Sequence, residues 1–156
     1  MKQDFFSLLT PAEFTALLQG FTPTPVEDAP LAALHGRTLA LDLAAPEDLP
    51  ATDRSGMDGF AVRAEDTFGA GEGNPTYLNL AGSAAIDVVP AAPLAPGACL
   101  AVTTGGALPP GANAVLMKEF AADMGAGVIE ARKSLAPGEN VMLRGEDGSR
   151  GSRLLS

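Results

Sequence analysis

At 156 residues the chain is one ordinary domain or two small lobes, which excludes a large multidomain enzyme. Its 19 acidic against 10 basic residues give a net charge of −9, so neither a nucleic-acid backbone nor an anionic membrane surface attracts it non-specifically. Leu, Ile, Val and Phe supply about a quarter of the residues, above the level at which chains stay disordered, and 18 glycines with 13 prolines point to short strands joined by many turns. Cys99 is the single cysteine, so no intrachain disulfide and no cysteine-based zinc site can be built. The apolar run from Phe5 to Leu9 is broken by Ser7 and is too short for a signal-peptide core. No stretch approaches transmembrane length, and a cytoplasmic location is the expectation.

In chain order, Thr10-Pro11-Ala12-Glu13 reads as a capping box with proline at the first helical position. Phe14, Leu17 and Leu18 fall on one face of the helix that follows, and Gly20 ends it. After the extended Thr22-Pro23-Thr24-Pro25, Asp28 is placed to cap a second short helix running through Leu31 and Leu34 to Gly36. His35 in its last turn reads as a solvated residue beside helix carbonyls. From Thr38 the period shortens: Leu39, Leu41 and Leu43 alternate with polar or small residues, as in a half-buried strand. Leu78 and Leu80, Leu100 and Val102, Val115 and Met117, and Val141 and Leu143 repeat that pattern between glycine, proline or asparagine. The stretch Ala81 to Gly97 reads as loop plus edge. The expected fold class is α+β, mainly β, with two short N-terminal helices.

Three stretches carry more turn formers and ionisable groups than a plain scaffold requires. In Asp53-Arg54-Ser55-Gly56-Met57-Asp58-Gly59 two glycines flank Asp58, which is thereby exposed on a tight turn. By pattern alone Asp58 is either a carboxylate presented as metal ligand or general base, or an acceptor bonding its own turn. In Thr103-Thr104-Gly105-Gly106 a strand ends in hydroxyls and successive backbone N–H groups, which form either a small anion-binding nest or a hairpin turn. The third stretch, Pro137 to Gly148, crowds Arg144, Glu146 and Asp147 onto one turn that also reads as a solvated charged loop. With one histidine and one cysteine there is no histidine-dependent triad and no multi-histidine metal site, and no dinucleotide or P-loop fingerprint is present.

Taken in order, these stretches resemble the N-terminal part of the molybdopterin molybdenumtransferases, the MoeA family that includes the gephyrin E domain. The residues that carry the resemblance are Gly36-Arg37-Thr38-Leu39-Ala40, Ser55 to Arg63, and Thr104-Gly105 leading to Leu108-Pro109. They continue with Gly111-Ala112-Asn113-Ala114-Val115, Glu119, Pro137 to Val141, and Arg144-Gly145-Glu146-Asp147. Their order and spacing match across nearly the whole chain. Phe60 stands where the family usually has Tyr, Asn113 where it usually has Asp, and Gly106-Ala107 where Ala-Pro is common.

The resemblance implies a discontinuous, elongated lobe of residues 1–45 and 140–156 carrying an inserted β-rich lobe of residues 46–139. It implies a part in transferring molybdate onto the dithiolene of adenylylated molybdopterin, with release of AMP and Mg2+ as cofactor. Asp58, Thr104 and Asp147 are implied as catalytic, Ser55, Gly105 and Arg144 as substrate-binding, and Asp58, Glu119 and Glu146 as metal ligands. Full-length members continue into a pterin-binding domain and a C-terminal β domain, which this sequence lacks, so the chain alone is expected not to catalyse. A homodimer is implied, in which the active cleft is shared with a pterin-binding domain of a longer chain or partner; the apolar segment Phe5, Phe6, Leu8 and Leu9 fits such a contact. The other reading is a non-catalytic dimerisation or partner-docking module of the same descent.

Overall fold

The computed structural model describes residues 8–86 and 88–156. It divides into two compact units, one ending at Ala40 and the other Leu41–Ser156.

In the first unit, helix α1 (Pro11–Gln19) starts on the expected capping box: Thr10 accepts from the Glu13 backbone, and Glu13 reaches back to the Thr10 N–H at 2.8 Å. None of its residues is buried. The second expected helix is not formed. Only a single 3-10 turn, Leu31–Ala33, is present, with Pro30 extended before it and no side-chain cap. Pro30 is the reason, because the residue before a proline is kept out of the helical region, so Ala29 cannot open a helix capped by Asp28. Phe5 and Phe6 lie outside the described residues, whereas Leu8, Phe21 and Leu31 are strongly exposed.

The second unit is mainly β. Strands β1 (Leu43–Ala44), β2 (Arg54–Ser55), β3 (Gly59–Val62), β4 (Thr76–Ser83), β5 (Ala98–Val102), β6 (Ala114–Met117), β7 (Ala121–Gly125), β8 (Val128–Ala131), β9 (Val141–Met142) and β10 (Arg153–Leu155) follow one another. Six of them form one sheet in the order β6-β3-β5-β4-β8-β7, while β1 pairs with β10 and β2 with β9. Within the large sheet only β4 and β5 run parallel. Its two edge strands are consecutive in the chain, joined by the 3-10 turn Lys118–Phe120, so the sheet curls round on itself.

Curling gives the sheet an interior. Val62, Leu78, Cys99, Leu116 and Ile129 pack together there, while Ala61, Val102, Leu108 and Val115 form a second cluster. Register explains the split, since Val62 faces Cys99 and Ala114, and Ala61 faces Leu100 and Val115. Each fully buried Leu, Ile or Val contributes roughly 1.5–3 kcal/mol. Burial of Cys99 pushes its thiol up to about 11, so it behaves as a small core residue. Buried Thr67 is satisfied on both sides, donating to the Ala64 carbonyl at 2.8 Å and accepting from the Leu135 N–H at 2.9 Å.

The alternating run Leu39, Leu41, Leu43 is not a half-buried strand. Only Leu43–Ala44 pairs, because β10 offers just three residues, and Leu41 is 82% exposed. Conversely β3 carries no alternation, since Ala61 and Val62 bury on opposite faces, and it lies at the centre of the β6-β3-β5 triplet.

Gly59 sets how closely these strands approach. A Cβ on it would lie 2.0 Å from the Leu116 carbonyl oxygen of the adjoining strand. Gly59→Ala is therefore expected to destabilise the chain by about 3 kcal/mol or more, as overpacking against backbone that cannot move aside. Denaturant unfolding followed by circular dichroism checks this; a loss under about 1 kcal/mol would mean that the strands part easily.

Candidate functional site

The first two turn-rich stretches come together at the end of β3. Asp58 precedes Gly59, whose register opposite Val102 on one side and Met117 on the other brings two chain segments to Asp58. From beyond β5 come Thr103 and Thr104; from beyond β6 comes Lys118, whose N–H donates to the Asp58 carbonyl at 3.1 Å.

Asp58 Oδ1 accepts two hydrogen bonds from Thr104, one from the backbone N–H at 2.8 Å and one from the hydroxyl at 2.9 Å. Oδ2 faces the Lys118 ammonium at 3.7 Å. The Thr104 N–H, and next its hydroxyl, hold the Asp58 carboxyl below the ordinary carboxylate value; Lys118 adds to this and desolvation opposes it. Asp58 is thus an ionised carboxylate with one oxygen taken by two hydrogen bonds and the other, in a half-exposed side chain, near the Lys118 ammonium.

The turn holding Thr104 is itself fastened. Gly106 N–H closes it on the Thr103 carbonyl, Gly105 N–H donates to the Ser55 carbonyl, and Ser55 N–H donates to the Gly106 carbonyl. The N–H groups of Thr104, Gly105 and Gly106 all have protein acceptors, so the open nest of donors that the glycine pair suggested is not formed. Ser55 is fully buried, and its hydroxyl donates to the Met57 carbonyl, fixing the loop that leads to Asp58. Asn140 supports that loop from behind: with φ +59° it accepts from the Gly56 N–H at 2.8 Å through its carbonyl and donates to the Val115 carbonyl at 2.9 Å through Nδ2. Asn113 provides a further acceptor, taking the Ala64 N–H at 2.7 Å through Oδ1.

The third stretch is anchored on residues 48–53. Arg144 donates from Nε to Asp48 at 2.6 Å and from its backbone N–H to Asp53 at 2.7 Å; the Asp147 and Gly148 N–H groups converge on the Leu49 carbonyl. The Arg150 N–H, and then Arg144, hold Asp48 below its ordinary value. Glu146 accepts from the Leu143 N–H, which makes it a cap of its own turn. Arg144 also borders a shallow cavity of about 250 Å³ with Thr52, Asp53, Pro109 and Ala112.

Ser55, Asp58, Thr104 and Gly105 are thus joined by hydrogen bonds, while Arg144, Glu146 and Asp147 belong to the turn on residues 48–53. Among the described residues no three His, Cys, Asp or Glu side chains gather to hold a metal ion, so Asp58, Glu119 and Glu146 do not form one cluster. Lys118, Arg54 and Asn140 are not among the site residues that the sequence names, although Arg54 and Asn140 lie within the stretches it marks. Lys118 and Arg54 adjoin residues that are, and Asn140 stands after Pro137-Gly138, where a left-handed residue commonly closes a turn.

Residues 9–156 match the family described as MoeA N-terminal region, domains I and II. The chain belongs to this family. It is 37% identical over 126 residues to molybdopterin molybdenumtransferase 2 of Mycobacterium tuberculosis, covering 81% of this chain and 31% of that protein. To the molybdopterin molybdenumtransferase of Bacillus subtilis it is 32% identical over 159 residues, covering 90% of this chain and 37% of the relative. The crystal structure of the molybdopterin biosynthesis MoeA protein from Pyrococcus horikoshii superposes with a TM-score of 0.77 at 38% identity, covering 83% of this chain and 34% of that one. The chain therefore spans about a third of the length of these MoeA relatives.

The turn at Pro137 to Asn140 is held by charge. Glu139 accepts from Lys133 at 2.7 Å and from the Ala136 N–H at 3.0 Å, and these, in that order, hold its carboxyl below the ordinary value of 4.5. A carboxyl lowered in the folded state stabilises above its unfolded pKa and loses that contribution as pH falls through the folded one. Glu139→Gln is thus expected to be about 0.5–1 kcal/mol less stable than wild type at neutral pH, the half-exposed pair being discounted for screening. The two proteins should converge below the folded pKa of Glu139, and chemical denaturation across the acid range measures it. A gap independent of pH would show that the carboxylate's charge is not what holds the turn.

Proposed function

We propose that this chain is the N-terminal portion of a molybdopterin molybdenumtransferase, contributing to insertion of molybdate into adenylylated molybdopterin during molybdenum cofactor biosynthesis. The observation that carries the reading is the Asp58–Thr104–Lys118 constellation, built where the family-matching segments converge. Asp58 stays ionised at neutral pH because Thr104 solvates it in place of water, and its open oxygen, with the Lys118 ammonium beside it, is oriented before any ligand arrives. Such an arrangement can orient a protonated oxygen of an oxyanion or polarise a water. Asp147 enters the same proposal as catalytic with Asp58 and Thr104, and Ser55, Gly105 and Arg144 as substrate-binding, Arg144 and Asp147 reaching it from the turn on residues 48–53. Mg2+, which the resemblance implies, does not fit the carboxylates of this chain as a complete ligand set. No step is assigned to it.

The proposal includes a cleft completed by a pterin-binding domain from a longer chain or partner, because proximity of pterin and molybdate needs a second body to hold one reactant. It also includes a homodimer and a cytoplasmic location. Exposed Leu8, Phe14, Leu17 and Phe21 support the dimer. No helix among the described residues is long and apolar enough to cross a membrane. The lobe of residues 1–45 and 140–156 is part of the same reading, supported by the pairing of Leu43 with Leu155 and of Ala44 with Arg153.

Asp58→Asn is the test. Asparagine keeps an oxygen for the Thr104 donors but removes the charge, so the midpoint of denaturant unfolding should shift little. In a full-length context that supplies the pterin-binding domain, cofactor output should fall at least about a hundredfold, a loss of several kcal/mol of transition-state stabilisation. The purified 156-residue chain should show no turnover with molybdate and adenylylated molybdopterin. Unchanged output in the variant would remove Asp58 from the site, and turnover by the chain alone would overturn the shared cleft.

A further inference from the structure

We propose that Asp48 is the positioning residue of Arg144: it holds the guanidinium by Nε and leaves both Nη groups to bind the phosphate of an ester ligand seated in the adjoining cavity. The inference rests on the functional reading above only in taking that ligand for a substrate.

Asp48 divides its carboxylate between two donors. Oδ2 accepts from Arg144 Nε at 2.6 Å, and Oδ1 accepts from the Arg150 N–H at 2.7 Å. The backbone end of Arg144 is held as well, its N–H donating to Asp53 Oδ1 at 2.7 Å. Arg144 is therefore an exposed side chain fixed at both ends, and among the described residues neither Nη has an acceptor. A guanidinium anchored through Nε presents those remaining N–H donors as a planar fork, the shape that takes two oxygens of one phosphate. Without the anchor the long side chain would sample its rotamers, and a ligand would have to order it on binding. The charges around the fork balance: Arg150 also acts on Asp48 through space, so two arginines stand against Asp48 and Asp53. Arg144 borders the cavity of about 250 Å³, whose wall continues from Asp53 to Leu108, Pro109 and Ala112. A further donor in that wall, the Thr52 hydroxyl, is buried without a partner. Free phosphate would leave the apolar part of the wall uncovered, whereas the organic part of an ester covers it.

Titration of the 156-residue chain with phenyl phosphate, followed by NMR at the Arg144 Nε–H and the Ala112 amide, tests this. Both signals should move saturably, and phenyl phosphate should bind about tenfold more tightly than inorganic phosphate or benzoate. Asp48→Asn should weaken phenyl phosphate about tenfold, while the Asp147 and Gly148 amides, which bond the Leu49 carbonyl, keep their hydrogen-exchange protection. Asp48→Glu, which keeps a carboxylate within reach of Nε, should recover part of the affinity. The absence of a saturable shift at Arg144 in the wild-type chain overturns the proposal, and equal binding of inorganic phosphate or benzoate overturns the ester as its ligand. Unchanged affinity in Asp48→Asn overturns the role of Asp48, and so does a loss accompanied by exchange at Asp147 and Gly148, which would mark a contact that only holds the turn. Should Asp48→Asn fail to fold, Asp48→Glu decides by the same two readouts: weaker binding with both amides protected supports the anchor, and any other pattern rejects it. Cofactor output of Arg144→Met in the full-length context separates the two claims. Output unchanged there removes Arg144 from the functional reading, and the titration still decides what the cavity binds.

Discussion

The absence of a side chain at Gly59 is the constraint on which the rest depends. A Cβ there would sit 2.0 Å from the Leu116 carbonyl oxygen, so β3 can lie between β5 and β6 only if residue 59 is glycine. Once β3 is seated, the chain has no freedom in what it sets beside Asp58: the register gives Val102, and hence Thr104, on one side and Met117, and hence Lys118, on the other. The core and the site are therefore specified by the same pairing. Val62 and Leu116 face the interior, and one residue before the strand begins a carboxylate emerges at its end.

Asp58 combines two readings that the sequence alone left as alternatives. It does accept hydrogen bonds, as a turn aspartate would, but from Thr104 across the sheet rather than from its own loop, which Ser55 and Asn140 hold instead. An acceptor bonded locally would be spent on folding. One bonded to a residue 46 positions away is a carboxylate that the whole sheet keeps in place, with an oxygen left over.

What could be read in advance, and what could not, follows from the range of the forces involved. The capping box at Thr10 is a local arrangement of four residues and is present as expected, whereas the helix after Asp28 fails on an equally local rule, the restriction that Pro30 imposes on Ala29. Strands at Leu78, Leu100 and Val115 were legible because each is a short apolar run set between glycine, proline or asparagine, although β5 and β6 bury residues on both faces. β3 was not, because its four residues follow the glycine-flanked Asp58 and read as part of a turn, and the false strand at Leu39 shows that alternation without a partner strand produces nothing. In the site, Asp58 and Thr104 were legible through the family resemblance. Lys118 and Arg54 were hidden because their contacts form only on folding, Lys118 through pairing across β3–β6 and Arg54 through a hydrogen bond to the Gly105 carbonyl, 51 residues away.

The proposed site makes Asp58 and Thr104 one unit, the hydroxyl and N–H serving the carboxylate rather than a ligand directly. A double-mutant cycle of Asp58→Asn and Thr104→Val, read as cofactor output in a full-length context, measures this coupling. If the two act as a unit, the double variant should be no more impaired than Asp58→Asn alone. Losses that multiply, each substitution exacting its full effect in the presence of the other, would show two independent contributions and contradict the account.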